Sequence, residues 1–354
     1  PIEIKLKKID GAINLEISKK IIQNQPWESR QNYQIPNEMS TPYWLLKDGD
    51  LGNYYVQDES LKGLAETPNP IKVRFHVIIN NTHIPIQVPL KYKTTDRVAG
   101  EVLQNFQILP KATVQLKDKV ILFQKDNIKK VSLQVRAHVQ NFKGYVTLKV
   151  PKNWDFFPKK QDVEIDRAGA VKEFIFNVTP PKGNNTGIFS GLVSDGIRDY
   201  NMTLEEIEYP HISKQFMLSP NKTIVSKIDL KSRVSKVAYL KGAGDKVAES
   251  LRNIGITVAE FDIDELRLEN LLNYPALIIG IRAFNVHKEL AFKNQILWDY
   301  ANQGGTVIIQ YNTSRGFDSS IISPYLIKIS RDRVTDENAY VSFLKKDHPL
   351  LKEP

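Results

Sequence analysis

The sequence predicts a multidomain chain: two antiparallel β-sandwich domains followed by an α/β domain on a doubly wound parallel sheet. Three observations carry this expectation. At 354 residues the chain exceeds what one hydrophobic core normally organises, which sets a prior of two or three domains. Up to about residue 212 it is rich in short apolar runs of period two, the strand period, broken by turn residues. From Val237 onward, apolar strands alternate with segments of helical period, and that alternation calls for a parallel sheet.

Over residues 1–100, Ile2, Ile4 and Leu6 alternate with charged residues, and Ile71-Lys72-Val73-Arg74-Phe75-His76-Val77 repeats the pattern. Pro85 and Pro89 flank Ile86-Gln87-Val88, which suits an edge strand because proline has no N–H to give a ladder. An irregular aromatic stretch, Thr41-Pro42-Tyr43-Trp44-Leu45 through Gly52-Asn53-Tyr54-Tyr55-Val56, lies between. The expectation is a β-sandwich with room for earlier strands before Pro1.

Over residues 101–212 a second sandwich is expected. Its strands are marked by Val114 and Leu116, by Val120-Ile121-Leu122-Phe123, by Val131, Leu133, Val135 and Ala137, by Tyr145 to Val150, and by Phe174, Phe176 and Val178. The segment Pro151 to Pro158 is its most distinctive part. Trp154 reads as a core plug at a strand end, with sugar stacking as the alternative for Trp154 and for Trp44. Tyr209-Pro210-His211-Ile212 closes this unit, and a polar connector with Ser219-Pro220-Asn221-Lys222 leads onward.

Residues 213–354 are expected to form the α/β domain. Val237-Ala238-Tyr239-Leu240 runs into Gly242-Ala243-Gly244-Asp245 and then into helical spacing at Val247, Leu251 and Ile254, stopped by Gly255. Thr257 to Phe261 is a second strand, and Ala276 to Ile281 a third, apolar throughout as burial on both faces requires. A helix from about Lys288 to Asn302 takes Leu290, Phe292, Ile296, Leu297 and Tyr300 as inner positions, before Gly304-Gly305 and a fourth strand, Thr306 to Gln310.

Hydrophobic content of 41% with 25% charged residues is that of a globular protein, and no run approaches the ~20 apolar residues of a membrane helix. With no cysteine, disulfides, thiolate metal sites and cysteine nucleophiles are excluded. The formal charge of +9 is dispersed and mixed with acids, so no nucleic-acid partner is expected. The six histidines form no His-x-x-His, His-x-His or His-Glu-x-x-His arrangement, and no metal site and no catalytic residue is assigned. Gly242-Ala243-Gly244 matches a dinucleotide fingerprint only in part, since Val247 stands where the third glycine belongs.

In a parallel sheet, Gly242, Gly244 and Asp245, then Arg282 and Asn285, then Gln310, Asn312 and Arg315 collect at the carboxyl ends of the strands, where open α/β sheets bind ligands. These eight residues are the candidate ligand site. The plain alternative is that Arg282, Asn285 and Asn312 satisfy loop backbone and each other.

The segments Tyr239 to Asp245, Gly280 to Asn285, Gly304 to Asn312 and Ser330-Arg331-Asp332-Arg333-Val334-Thr335-Asp336-Glu337, with Thr41 to Leu45 and Pro151 to Pro158, resemble the C-terminal region of large bacterial PIG-L (LmbE-like) deacetylases. The resemblance implies a NEW3-type, immunoglobulin-like sandwich and a final flavodoxin-like domain similar to class I glutamine amidotransferases. It implies a secreted or periplasmic bacterial protein whose zinc belongs to a separate N-acetylglucosamine-type deacetylase domain, marked by a His-Pro-Asp-Asp motif that does not occur between Pro1 and Pro354. The expected role is a non-catalytic accessory region that contacts glycans or the deacetylase domain. The alternatives are a small-molecule hydrolase or transferase using Asp245, Arg282 and Asn312, and a structural spacer. Glutaminase chemistry is not expected without a thiol. The resemblance further implies that the α/β domain continues beyond Pro354, leaving an exposed apolar flank near Val307 to Ile309 or Ile321 to Leu326.

Overall fold

The computed structural model describes residues 3–352 apart from 48, 51, 99, 125, 210, 316, 317, 337 and 338. Ile2, Pro210 and Glu337, used in the sequence reading, lie outside the described residues.

Strands β1 (Ile4–Gly11), β2 (Leu15–Ile21), β3 (Lys72–Ile79) and β4 (Thr82–Pro89) form an antiparallel sheet in the order β2-β1-β3-β4. The edge strand β4 carries Pro85 and Pro89, as expected. Asn80 and Asn81, at φ 46° and 67°, make the two-residue turn of left-handed residues whose twist suits a hairpin. This fixes the register, with His76 opposite Pro85 and Ile78 opposite His83. A separate hairpin follows, β5 (Lys91–Asp96) and β6 (Gly100–Asn105). Where a sandwich is expected over 1–100, the structure has one sheet and a hairpin. The described residues between β2 and β3 supply two short 3-10 turns, Tyr43–Leu45 and Glu59–Leu61, and no strand for a second layer.

The sandwich uses β7 (Ala112–Leu116), β8 (Val120–Phe123), β9 (Lys129–Ala137), β10 (Phe142–Lys149), β11 (Asp155–Phe157), β12 (Gln161–Ile165), β13 (Val171–Thr179), β14 (Asn185–Ser194), β15 (Asp199–Tyr200), β16 (Met202–Ile207), β17 (Gln215–Pro220) and β18 (Thr223–Lys227). One sheet runs β12-β10-β14-β18-β8 with β15 on β14, the other β11-β13-β9-β7, and β16 pairs with β17. Alternate residues of each strand point inward: Val131, Leu133, Val135, Phe176 and Val178 from one sheet meet Val146, Phe189, Val193 and Val225 from the other. This is an immunoglobulin-like sandwich with one parallel pair, β18 on β8. Because β18 belongs to this sheet, the sandwich extends past residue 212, where the sequence reading ends it.

The last unit has β19 (Lys236–Leu240), α1 (Val247–Asn253), β20 (Thr257–Phe261), α2 (Leu268–Leu271), β21 (Ala276–Ile279), α3 (Ala283–Val286), α4 (Leu290–Asn302), β22 (Thr306–Ile309) and α5 (Pro349–Lys352). The strands are parallel in the order β20-β19-β21-β22, the flavodoxin-like arrangement. Leu240, Leu277 and Ile279 pack on one face against Leu290, Leu297 and Tyr300. Val237, Tyr239 and Ile278 pack on the other with Ala248 and Leu251. Gly255 stops α1 at φ 80°, with the Ile256 N–H reaching back to the Leu251 carbonyl at 3.0 Å.

Phe292, expected inside, is 88% exposed. It stands two residues after Leu290, about 200° around the helix from it, whereas Leu297 and Tyr300 return to the inner face. Past β22, the described residues form only a 3-10 turn at Ser319–Ile321 before α5. Tyr325 and Leu326 are exposed there and Ile308 on β22 is about half exposed, while Val307, Ile309, Ile321 and Ile322 pack against the core.

Candidate functional site

The reversal of strand order falls between β19 and β21, which is where an open α/β sheet opens a crevice. The structure brings the three predicted loops together at that edge. The Ala243 N–H donates to the Ile281 carbonyl at 2.8 Å, and the Arg282 N–H to the Tyr311 carbonyl at 2.7 Å. The Phe284 N–H donates to Asn312 Oδ1 at 3.2 Å. Asn285 Nδ2 donates to the carbonyls of Thr313 (3.1 Å) and Arg315 (2.8 Å), while the Thr313 N–H returns a bond to Asn285 Oδ1 at 2.9 Å.

These contacts explain the residue types. A Cβ on Gly242 would lie 2.0 Å from the Ile281 carbonyl oxygen, so only glycine lets the first two loops touch. Asp245 Oδ1 accepts from the Tyr239 hydroxyl (2.6 Å) and the Val247 N–H (2.9 Å), and its Oδ2 from the Ile281 N–H (3.1 Å). Burial opposes the charge on Asp245, but these bonds outweigh it and hold the carboxyl below its usual range. Burial and the bond to Asp245 push the Tyr239 phenol up. The Asp245 carboxylate thus occupies the donors that an anionic ligand would otherwise meet at the crevice.

The predicted site therefore divides. Gly242, Gly244, Asp245, Arg282 and Asn285 lie in the knitted loops, and Arg315 joins them through its carbonyl. Gln310 lines a cavity of about 860 Å³ at the end of β22, walled by Trp298, Val307, Ile309, Tyr311, Asp332 and Arg333 among others, and Asn312, bonded to the loops through Phe284, lines it too. Asn312 is 4% exposed, and its Nδ2 donates to the Gln310 carbonyl at 2.8 Å. Gln310 Nε2 is buried without a hydrogen-bond partner among the described residues, a condition that costs about 1–3 kcal/mol unless a partner relieves it. The Arg333 guanidinium lies 5.7 Å from the centre of the Tyr311 ring, within cation–π range. Sequence reasoning assigned Gln310 and Asn312 to the site, read Tyr311 between them only as part of the same loop, and missed Trp298 on α4. It quoted Asp332 and Arg333 only within a motif.

Trp154 is 6% exposed, set edge-on between Phe123 and Phe189 with ring centres 5.0 and 5.1 Å away. Its Nε1 donates to Asn185 Oδ1 at 2.8 Å. With no ring face open, it is the core plug, and the sugar-stacking alternative for Trp154 is withdrawn. Trp44 is half-buried, edge-on to Tyr43 at 4.9 Å. Among the described residues no group of three metal-ligating side chains is placed to hold an ion.

No protein-family model matches the chain, and no curated protein does. Among solved structures it is similar to WR4, an MSP family member from C. elegans, at 8% identity and TM-score 0.19, over 33% of this chain and 98% of that one. It is also similar to a family 123 glycoside hydrolase from Clostridium perfringens that hydrolyses glycolipid glycans, at 7% identity and TM-score 0.20, over 49% of this chain and 38% of that one. Likeness this remote carries no functional argument, and the sandwich assignment rests on the strand pairing itself.

Proposed function

We propose that this chain is a non-catalytic accessory region of a PIG-L-type, zinc-dependent deacetylase, and that it binds a glycan in the cavity at the end of β22 while its β-sheets act as scaffold. The observation that carries this reading is a cavity of about 860 Å³ lined by Gln310, Tyr311, Trp298, Asp332 and Arg333, a size within the ligand-pocket range. The wall has the composition a sugar needs. Tyr311 and Trp298 offer ring faces for C–H surfaces, and Gln310, Asp332 and Arg333 offer donors and acceptors for hydroxyl and amide groups. The resemblance of the sequence motifs to PIG-L-type deacetylases is what suggests the substrate class. The polar residues at the switch point are bonded to one another, which favours a binding role here over hydrolysis or transfer by Asp245, Arg282 and Asn312.

The test is a titration of the chain with N-acetylated and de-N-acetylated hexosamine oligosaccharides, read by calorimetry and NMR. Saturable binding that Tyr311→Ala and Gln310→Ala each weaken about tenfold or more is the expected outcome. No binding to either series, or binding indifferent to both substitutions, rejects the proposal.

A further inference from the structure

A second cavity, of about 1270 Å³, lies between the irregular stretch that follows β2 and strands β15 to β17, and the proposed glycan site does not use it. The chain has three methionines, and all three, Met39, Met202 and Met217, line this cavity. Tyr43, Leu45 and Leu218 share the wall with them. Most hydroxyls in the wall already have protein partners. Thr41 Oγ1 accepts from the Leu218 N–H (3.0 Å), Thr67 Oγ1 from the Tyr43 N–H (2.9 Å) and Ser40 Oγ from the Ile108 N–H (2.8 Å). The Tyr43 hydroxyl donates to the Leu64 carbonyl and the Tyr200 hydroxyl to Asp195 Oδ2, both at 3.0 Å. Of the neutral polar side chains in the wall, Ser219 and the exposed Asn201 alone have no partner among the described residues. Glu38, Lys47, Arg198 and Asp199 also line the cavity, are exposed, and put two charges of each sign at its rim.

We infer that this cavity binds a single acyl chain, which enters it tail first and leaves its head group at the charged rim. The chemistry of the wall decides the class of occupant. A peptide or a sugar carries N–H, C=O or O–H groups along its whole length, and burying them against a wall with few free partners is unfavourable. A hydrocarbon chain has no such groups to satisfy, and each CH₂ that it buries strengthens binding. The volume exceeds the ~300–1,000 Å³ of ordinary small-ligand pockets, which leaves room for an extended guest. Methionine suits such a guest, because its three rotatable bonds and polarisable sulfur let the wall follow a flexible chain. With two cations and two anions, the rim favours no head-group charge, so recognition rests on the chain.

The experiment labels the methionine methyl groups with carbon-13, which gives one NMR signal per methionine. The whole chain is then titrated with octanoate, decanoate, dodecanoate and monododecanoylglycerol, each below its micelle concentration. The expected result is saturable movement of all three signals with one shared dissociation constant, and affinity that rises about threefold or more per added CH₂. Dodecanoate and the glycerol ester should both bind. Met39 is 41% exposed, so Met39→Asp puts a charge on the wall without disturbing a packed core, and circular dichroism checks that the fold is intact. It should weaken dodecanoate about tenfold or more, while Tyr311→Ala leaves that affinity unchanged. The inference is overturned by signals that stay in place, by movement confined to one methionine, by affinity that follows the head group but not the chain length, or by a folded Met39→Asp variant that binds as tightly as before. An apolar hexapeptide that moves all three signals where the acids do not would give the cavity to a peptide instead. Because no sugar is present and the cavity is a different one, failure here is separate from failure of the glycan proposal.

Discussion

Among the described residues, the sandwich and the parallel sheet each bury one side-chain amide nitrogen that has no partner, and the two atoms stand in different surroundings. In the sandwich it is Asn221 Nδ2, wedged among Gly191, Leu133 and Val114. A Cβ added to Gly191 would meet Asn221 Nδ2 at 2.8 Å and Leu133 at 2.6 Å. In the parallel sheet it is Gln310 Nε2, itself covered, in a residue that lines a cavity. Other polar groups in the sandwich are staples: Trp154 to Asn185, Thr113 to His138, and Lys227 to the Pro181 carbonyl. The sandwich core closes around Asn221 from both sides, whereas the four-stranded sheet with a free edge leaves a cavity beside Gln310. Unused hydrogen-bonding capacity points to function only where there is volume beside it.

The contrast can be broken or sharpened by substitution. Trp154→Ala removes a large core plug and leaves Asn185 Oδ1 without its donor, so it should cost about 3–5 kcal/mol in denaturant unfolding. A much smaller loss would mean that the sandwich is not the rigid partner in this comparison. Gly242→Ala drives a methyl into the Ile281 carbonyl and should cost about 1–3 kcal/mol, with faster amide exchange at Ala243 and Ile281. Unchanged exchange there would show that the switch-point loops are not locked as described.

His138 supplies a pH test. Burial first, and then the nearby Arg136 charge, lower its pKa to about 4. Between the ordinary 6.5 and about 4, the unfolded chain takes up a proton that the folded chain refuses. Stability is therefore fully present above pH 6.5 and falls as pH drops towards 4, by roughly 1–2 kcal/mol once partial exposure of the ring is discounted. His138→Gln should flatten the stability–pH curve across that window by this amount, and an unchanged slope would refute the assignment. The smallest effect is expected for Gln310→Leu, which removes an unpartnered donor. Its stability should change by less than about 1 kcal/mol or rise, while any saturable glycan binding is lost. A large destabilisation would make Gln310 a structural staple like those of the sandwich.

The α/β unit was legible because its signals are local. Asp245 before Val247, Gly255 after the helix, and four apolar runs place β19 to β22 within two residues of expectation. Strand alternation likewise located β7, β8, β9, β10 and β13. What the sequence hid is pairing at long range. β14, central in its sheet, reads Asn185-Thr186-Gly187-Ile188-Phe189-Ser190-Gly191, and its glycines are set by neighbours: a Cβ on Gly187 would strike Pro151 at 2.3 Å. No period in the strand itself announces that. The candidate site was half legible for the same reason. Three loops at one edge follow from a parallel sheet, but Asp245 bonding to Ile281, and Gln310 facing a cavity walled by residues 322–333, depend on contacts that spacing does not encode.

The parallel pairing of β18 with β8 bears on the order in which the protein is made. β8 has its neighbour only when Thr223–Lys227 arrives, about 100 residues later, and at ordinary synthesis rates that interval is about 5–20 s. Throughout it Val120 to Phe123, and once residues 185–194 are made the outer edge of β14 as well, are unpaired apolar strand edges on a nascent chain. The sandwich is thus exposed to wrong partners during translation, and a pause or truncation before residue 227 would leave that surface open for good.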